Sequence, residues 1–122
     1  MQDAGDVFDA VRTVLAVRKY QETPIPASVV EPIVAAGHLT ASSMNLQPWH
    51  FIAVQDPEML RTLGAAARTG PYIAQAPPAI VVAVEQTQFG VSDASRAIQS
   101  MVLPPGPLAS GPIGWASGGS RR

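Results

Sequence analysis

Residues 40–54, TASSMNLQPWHFIAV, lead a polar loop directly into an apolar run, and the rest of the chain is read outward from them. Ser42, Ser43, Asn45 and Gln47 crowd the loop, Pro48 closes it, and residues 49–54 read as a strand with Trp49 and Phe51 on its core face and His50 opposite. Small hydroxyl and amide side chains at the mouth of a strand can offer donors and acceptors to a flat ligand with a polar edge. They also serve ordinary turn chemistry, so a plain helix-to-strand connector is the alternative.

Upstream, Val7, Phe8, Val11, Val14 and Leu15 recur at helical spacing behind a capping Asp6, which predicts an amphipathic first helix ending around Val17. Arg18 and Lys19 then stand where cations complement a helix C-terminus. A second helix follows Pro26, with Val29, Val30, Ile33, Val34 and Leu39 on its buried side and Gly37 near its end. Pro32 would cost about 3 kcal/mol deep inside a helix, so that helix is expected to start late or to kink.

Downstream, Asp56-Pro57-Glu58 is a capped helix start with proline in the first turn, and Met59, Leu60, Leu63 and Ala67 are expected inward. Residues 68–71 break this third helix. Residues 80–84 form a second strand, apolar enough to be buried on both faces. A fourth helix is predicted over 92–103, with Ala94, Ala97, Ile98, Met101 and Val102 apolar and Asp93 near its N-terminus. Helices and strands alternate without hairpin signals, which gives an α+β class, or α/β, with a small sheet flanked by helices.

The chain has 122 residues, 47% hydrophobic and 14% charged, with a net charge of -1. That balance offers no electrostatic footprint for nucleic acid or anionic lipid. The absence of cysteine and the presence of only two histidines exclude thiolate chemistry and make a metal site an unexpected feature. No run approaches the roughly 20 apolar residues of a membrane span, and the acidic N-terminus lacks a signal peptide's positive region, so a cytoplasmic location is expected. No GxGxxG follows a strand and no P-loop occurs, which leaves any phosphate to side chains.

The order Ser42, Ser43, Asn45, Gln47, Pro48, Trp49, Phe51 resembles the SSxNxQPWxF loop of the nitroreductase family, and Val17-Arg18-Lys19-Tyr20 resembles the end of that family's RRSxRxF segment. The resemblance covers residues 6–103. It implies a three-layer, FMN-dependent fold built as an intertwined homodimer, in which hydride passes from NAD(P)H through the flavin to a small electron-poor acceptor such as a nitro compound or quinone. By this resemblance Arg18 is assigned to the phosphate, and Ser42, Ser43, Asn45 and Gln47 to the flavin edge or ribityl chain. Arg68 is a further cofactor-binding candidate. No acid, base or nucleophile is implied, because the cofactor carries the chemistry. Val14, Leu15 and Ala16 depart from the family, which has two basic residues and a serine there.

Residues 104–122 are of a different composition, rich in proline, glycine and serine. Read one base out of frame, their codons permit AAWAxGIGSNWVGF, the continuation typical of the family. The expectation is therefore a partial, truncated family domain over 6–103 followed by an out-of-frame tail over 104–122, with too little apolar surface to fold. A catalytically inactive fragment of such an enzyme is the alternative to an active oxidoreductase.

Overall fold

β1 (Trp49–Val54) and β2 (Ala79–Val84) pair antiparallel, with Trp49 opposite Val84, Phe51 opposite Val82 and Val54 opposite Ala79. The computed structural model describes residues 4–14 and 18–103. Four helices accompany the strands: α1 (Ala4–Thr13), α2 (Ala27–His38), α3 (Pro57–Ala66) and α4 (Gly90–Val102). Two short 3-10 turns complete the order, Ser43–Asn45 before β1 and Pro71–Gln75 before β2. The class is α+β, and no tight hairpin joins the strands because α3 and the second turn intervene.

The core lies where α2 and α4 pack together against one face of the sheet. Val30 and Ile33 of α2 are buried there, as are Ala97, Met101 and Val102 of α4 and Trp49 of β1. Gly37 permits the closest approach: a Cβ on it would stand 2.9 Å from Phe51 Cζ and 3.0 Å from Met101 Sδ. His38 meets Phe51 edge-on at 4.7 Å between centroids, an arrangement favoured by the ring quadrupoles. Across the helix pair, Thr40 Oγ1 donates to Ser100 Oγ at 2.7 Å.

α3 begins as its sequence dictates. Asp56 accepts the Met59 backbone N–H at 2.9 Å, and Pro57 occupies the first turn, where its missing N–H costs nothing. The helix then buries Leu60 and Gly64, and Gly64 lies against the backbone of the second 3-10 turn.

Several expectations are corrected. Pro32 neither delays nor breaks α2, which runs unbroken from Ala27 to His38. The carbonyl deprived of a partner belongs to Ser28, an exposed residue in the first turn where water can reach it. α1 starts before Asp6 and ends at Thr13, and its apolar side chains Val7, Phe8 and Val11 are exposed because no described element packs on them. Its expected last turn lies partly in residues 15–17, outside the described residues. Met59 is exposed: one residue of rotation separates it from Leu60, which takes the inward position. Leu39 falls past the end of α2 and is also exposed. β2 is half-buried rather than buried on both faces, since it stands in a sheet of two strands and Ala83 is exposed. The tail expectation, residues 104–122, lies outside the described residues.

Candidate cofactor site

The loop after α2 has an unusual backbone. Met44, Asn45 and Gln47 all adopt positive φ, at 56°, 53° and 48°. Asn tolerates the left-handed region, whereas Met and Gln do so at a cost of about 1–2 kcal/mol each. Strain of this kind persists only where surrounding contacts impose it.

Part of the imposition is internal. Ser42 Oγ accepts the Gln47 backbone N–H at 2.9 Å, and the Asn45 and Leu46 N–H groups return to the carbonyls of Ser42 and Ser43. Gln47 Nε2 donates to Asn45 Oδ1 at 2.8 Å, which pairs two exposed amides side by side. The Asn45 amide N–H groups and the Gln47 carbonyl are left for other partners.

The rest comes from α4. Asp93 is 0% exposed, and its Oδ1 accepts the Ser43 backbone N–H at 2.9 Å and the Ser43 hydroxyl at 3.1 Å. Arg96, one turn on, donates to the same oxygen and, at 3.1 Å, to Ser43 Oγ. The Ser43 backbone N–H holds the Asp93 carboxyl below its ordinary range, helped by Arg96 and the Ser43 hydroxyl and opposed by burial. Asp93 Oδ2 and Trp49 Nε1 are buried without hydrogen-bond partners among the described residues.

Arg18 belongs to a second group. Its guanidinium lies 5.8 Å from the centre of the Tyr72 ring, within cation–π range, and Tyr20 meets Tyr72 at 6.4 Å. Burial, followed by the neighbouring Tyr72, pushes the Tyr20 phenol up, against the lowering effect of Arg18. Tyr72 sits on the 3-10 turn Pro71–Gln75, and Arg68 is exposed just before that turn. Ser42, Ser43, Asn45 and Gln47 are therefore gathered in one loop, while Arg18 and Arg68 flank another element. No hydrogen bond or ion pair joins either arginine to the loop among the described residues.

Sequence reasoning passed over Asp93 and Arg96 as functional residues. A signal for Asp93 was present: it is four residues before Ala97 and eight before Met101, on the helix stripe that is buried. An acid on such a stripe needs an acceptor's role inside the fold. His50 is exposed, 3.3 Å from Glu85, on the side of β1 opposite Trp49. Among the described residues no helix is long and apolar enough to cross a membrane, and no group of three His, Cys, Asp or Glu could hold a metal.

Comparison with known proteins places this architecture. The nitroreductase family model matches residues 12–108. A Methanothermobacter thermautotrophicus protein named as an NADH dehydrogenase/NAD(P)H nitroreductase is 32% identical over 113 residues, which are 88% of this chain and 59% of that protein. A structure of a Bacteroides thetaiotaomicron protein named in the same way superposes with a TM-score of 0.76 at 25% identity, over 84% of this chain and 61% of the other. A Desulfovibrio desulfuricans nitroreductase, solved in complex with FMN, gives a TM-score of 0.72 at 25% identity, over 84% and 62%. The chain thus spans about 60% of the length of each of these relatives. With its loop, its strand pair and its helix packing all accounted for in this way, the chain is a member of the nitroreductase family.

Proposed function

We propose that the chain carries part of the flavin site of an FMN-dependent oxidoreductase that moves hydride from NAD(P)H to a small electron-poor acceptor, a nitro compound or a quinone. The observation that carries this reading is the 42–47 loop, whose backbone is held in a strained form while its Asn45 and Gln47 amides stay exposed. Strain kept at an exposed polar loop fits a recognition surface better than a connector.

The residues present fit FMN. Asn45 and Gln47 offer both a donor and an acceptor at the solvent side of the loop, which suits the alternating polar edge of an isoalloxazine. Arg18 is exposed and makes no ion pair among the described residues, and its planar fork suits a phosphate. Arg68 is a second, weaker cation for the same group. Ser42 and Ser43 act on the loop's own geometry through the bonds above, and contact with the ribityl chain is proposed for their outer edges.

Bound there, FMN would supply the two-electron redox chemistry that no side chain of this loop can perform. The chain's own part is to hold and orient. The loop would fix the polar edge, Arg18 would anchor the phosphate end, and Phe51 and Trp49 would stiffen the strand beneath. Arg18 and the loop lie on separate elements without a direct link, which supports a site completed by a second copy of the chain in a homodimer.

The test is to add FMN to the purified chain, remove the excess by gel filtration, and record the visible spectrum and elution size. A retained flavin spectrum at dimer size, followed by NADH or NADPH oxidation, is the expected result. A colourless monomer would overturn the reading. The second reading, an inactive fragment, is favoured by the exposed Val7, Phe8 and Val11 face. Running the same assay on the frame-restored coding sequence separates the two.

A further inference from the structure

We propose that Asp93 is the positioning residue of the 42–47 loop, imposing its left-handed backbone through Ser43 and thereby setting the affinity of the flavin site. The inference rests on the FMN reading only for its second half. The first half concerns the loop itself.

α4 grips the chain at two places. Ser100 takes the Thr40 hydroxyl at the loop's entrance, and Asp93, almost two turns earlier on the helix, takes both donors of Ser43. Ala97 and Met101 bury the same helix face, so the carboxylate is carried on a rigid support. The bonds internal to the loop, from Gln47 to Ser42 and from Gln47 to Asn45, fix its parts relative to one another. They do not fix it to the body. Among the described residues, only Asp93 and its partner Arg96 hold Ser43 there.

The residue immediately after Ser43 is Met44, at φ 56°. Once its neighbour is released, Met44 is left to the loop's internal bonds, and the ordinary helical and extended regions are open to it. Asp93 never contacts the flavin in this account; it acts through Ser43 and the backbone that follows.

The experiment compares the wild-type chain with Asp93→Asn, Met44→Gly and the double variant. Two readouts are taken: hydrogen exchange of the residue 43–47 amides without flavin, and FMN affinity by fluorescence titration. Asp93→Asn removes the charge that holds Arg96 and the Ser43 hydroxyl, and it places an NH2 where Oδ2 is buried without a hydrogen-bond partner among the described residues. Loop exchange is expected to accelerate, and FMN affinity to fall about tenfold. Met44→Gly alone should change little. In the double variant, glycine removes the left-handed penalty, and affinity should return to within about threefold of wild type. A general loss of packing would not be rescued by a glycine in the loop.

Unchanged loop exchange in a folded Asp93→Asn chain, or a loss that Met44→Gly does not repair, would overturn the proposal. Should Asp93→Asn fail to fold, Ser43→Ala, which deletes the hydroxyl bonds to Asp93 and Arg96, is read by loop exchange alone, with a smaller acceleration and the same repair by Met44→Gly. If the wild-type chain binds no FMN, the flavin reading fails, and the exchange data alone decide the role of Asp93.

Discussion

One oxygen of Asp93 receives both the backbone N–H and the hydroxyl of Ser43, at 2.9 and 3.1 Å, and so ties the first turns of α4 to a loop fifty positions earlier. Because these bonds favour the ionised form, the folded-state pKa lies below the unfolded one. The stabilisation is therefore fully present above the unfolded aspartate value and is lost as pH falls through the lowered folded value. Amide exchange of residues 43–47, once corrected for intrinsic rates, is expected to stay constant from neutral pH down to the usual aspartate range and to accelerate as the pH falls through that range and below it.

Arg18 is expected to read the phosphate and nothing else. A charge-assisted contact is worth about 1.5–3 kcal/mol, so Arg18→Ala should weaken FMN binding roughly 10- to 100-fold. Riboflavin, which lacks the phosphate, should bind the variant as it binds wild type. Equal losses for the two ligands would show that Arg18 acts through the fold instead. Parallel titrations of both flavins make the comparison.

Tyr72→Leu should weaken FMN by less. An exposed cation–π contact contributes about 0.5–1 kcal/mol, which is roughly two- to fivefold. The loss should again appear for FMN and not for riboflavin, because the ring bears on the phosphate through the guanidinium it holds.

Gly64 has no room for a side chain. A Cβ there would stand 2.9 Å from the Ala74 backbone nitrogen and 3.2 Å from the Pro71 carbonyl oxygen, and backbone cannot rotate out of the way as a side chain can. Gly64→Ala is expected to destabilise the fold by about 1–3 kcal/mol, a typical cost of overpacking. Urea unfolding followed by circular dichroism measures it. A destabilisation well below this would mean that the Pro71–Gln75 turn shifts freely.

Asp56→Ala removes the cap of α3 and should cost about 1 kcal/mol, whereas Asp56→Asn should cost less because an amide oxygen can still accept the Met59 N–H. The same unfolding measurement ranks the two.

Local chemistry was legible in the sequence because its causes are local. Asp56-Pro57 starts a helix wherever it falls, the alternation from Trp49 to Phe51 puts His50 on the other side of a strand, and the crowded Ser, Asn and Gln residues of 42–47 announce a polar loop. The spacing of Ala97 and Met101 likewise defined the buried face of α4. Family membership followed from the same loop, and the match over residues 12–108 established it. What tertiary structure alone decided were the features that depend on a neighbour. An apolar helix face such as Val7, Phe8 and Val11 is buried only if something covers it, and β2 is enclosed on both sides only if further elements pack there. The positive φ of Met44 and Gln47 has no signature in their side chains, since both residues ordinarily avoid it. An aspartate in the first turns of a helix reads as a solvated partner of the dipole until a loop fifty residues away brings its N–H and hydroxyl against it. Burial, strain and the anchoring of the loop are pairwise properties, and a pair exists only once the chain has folded.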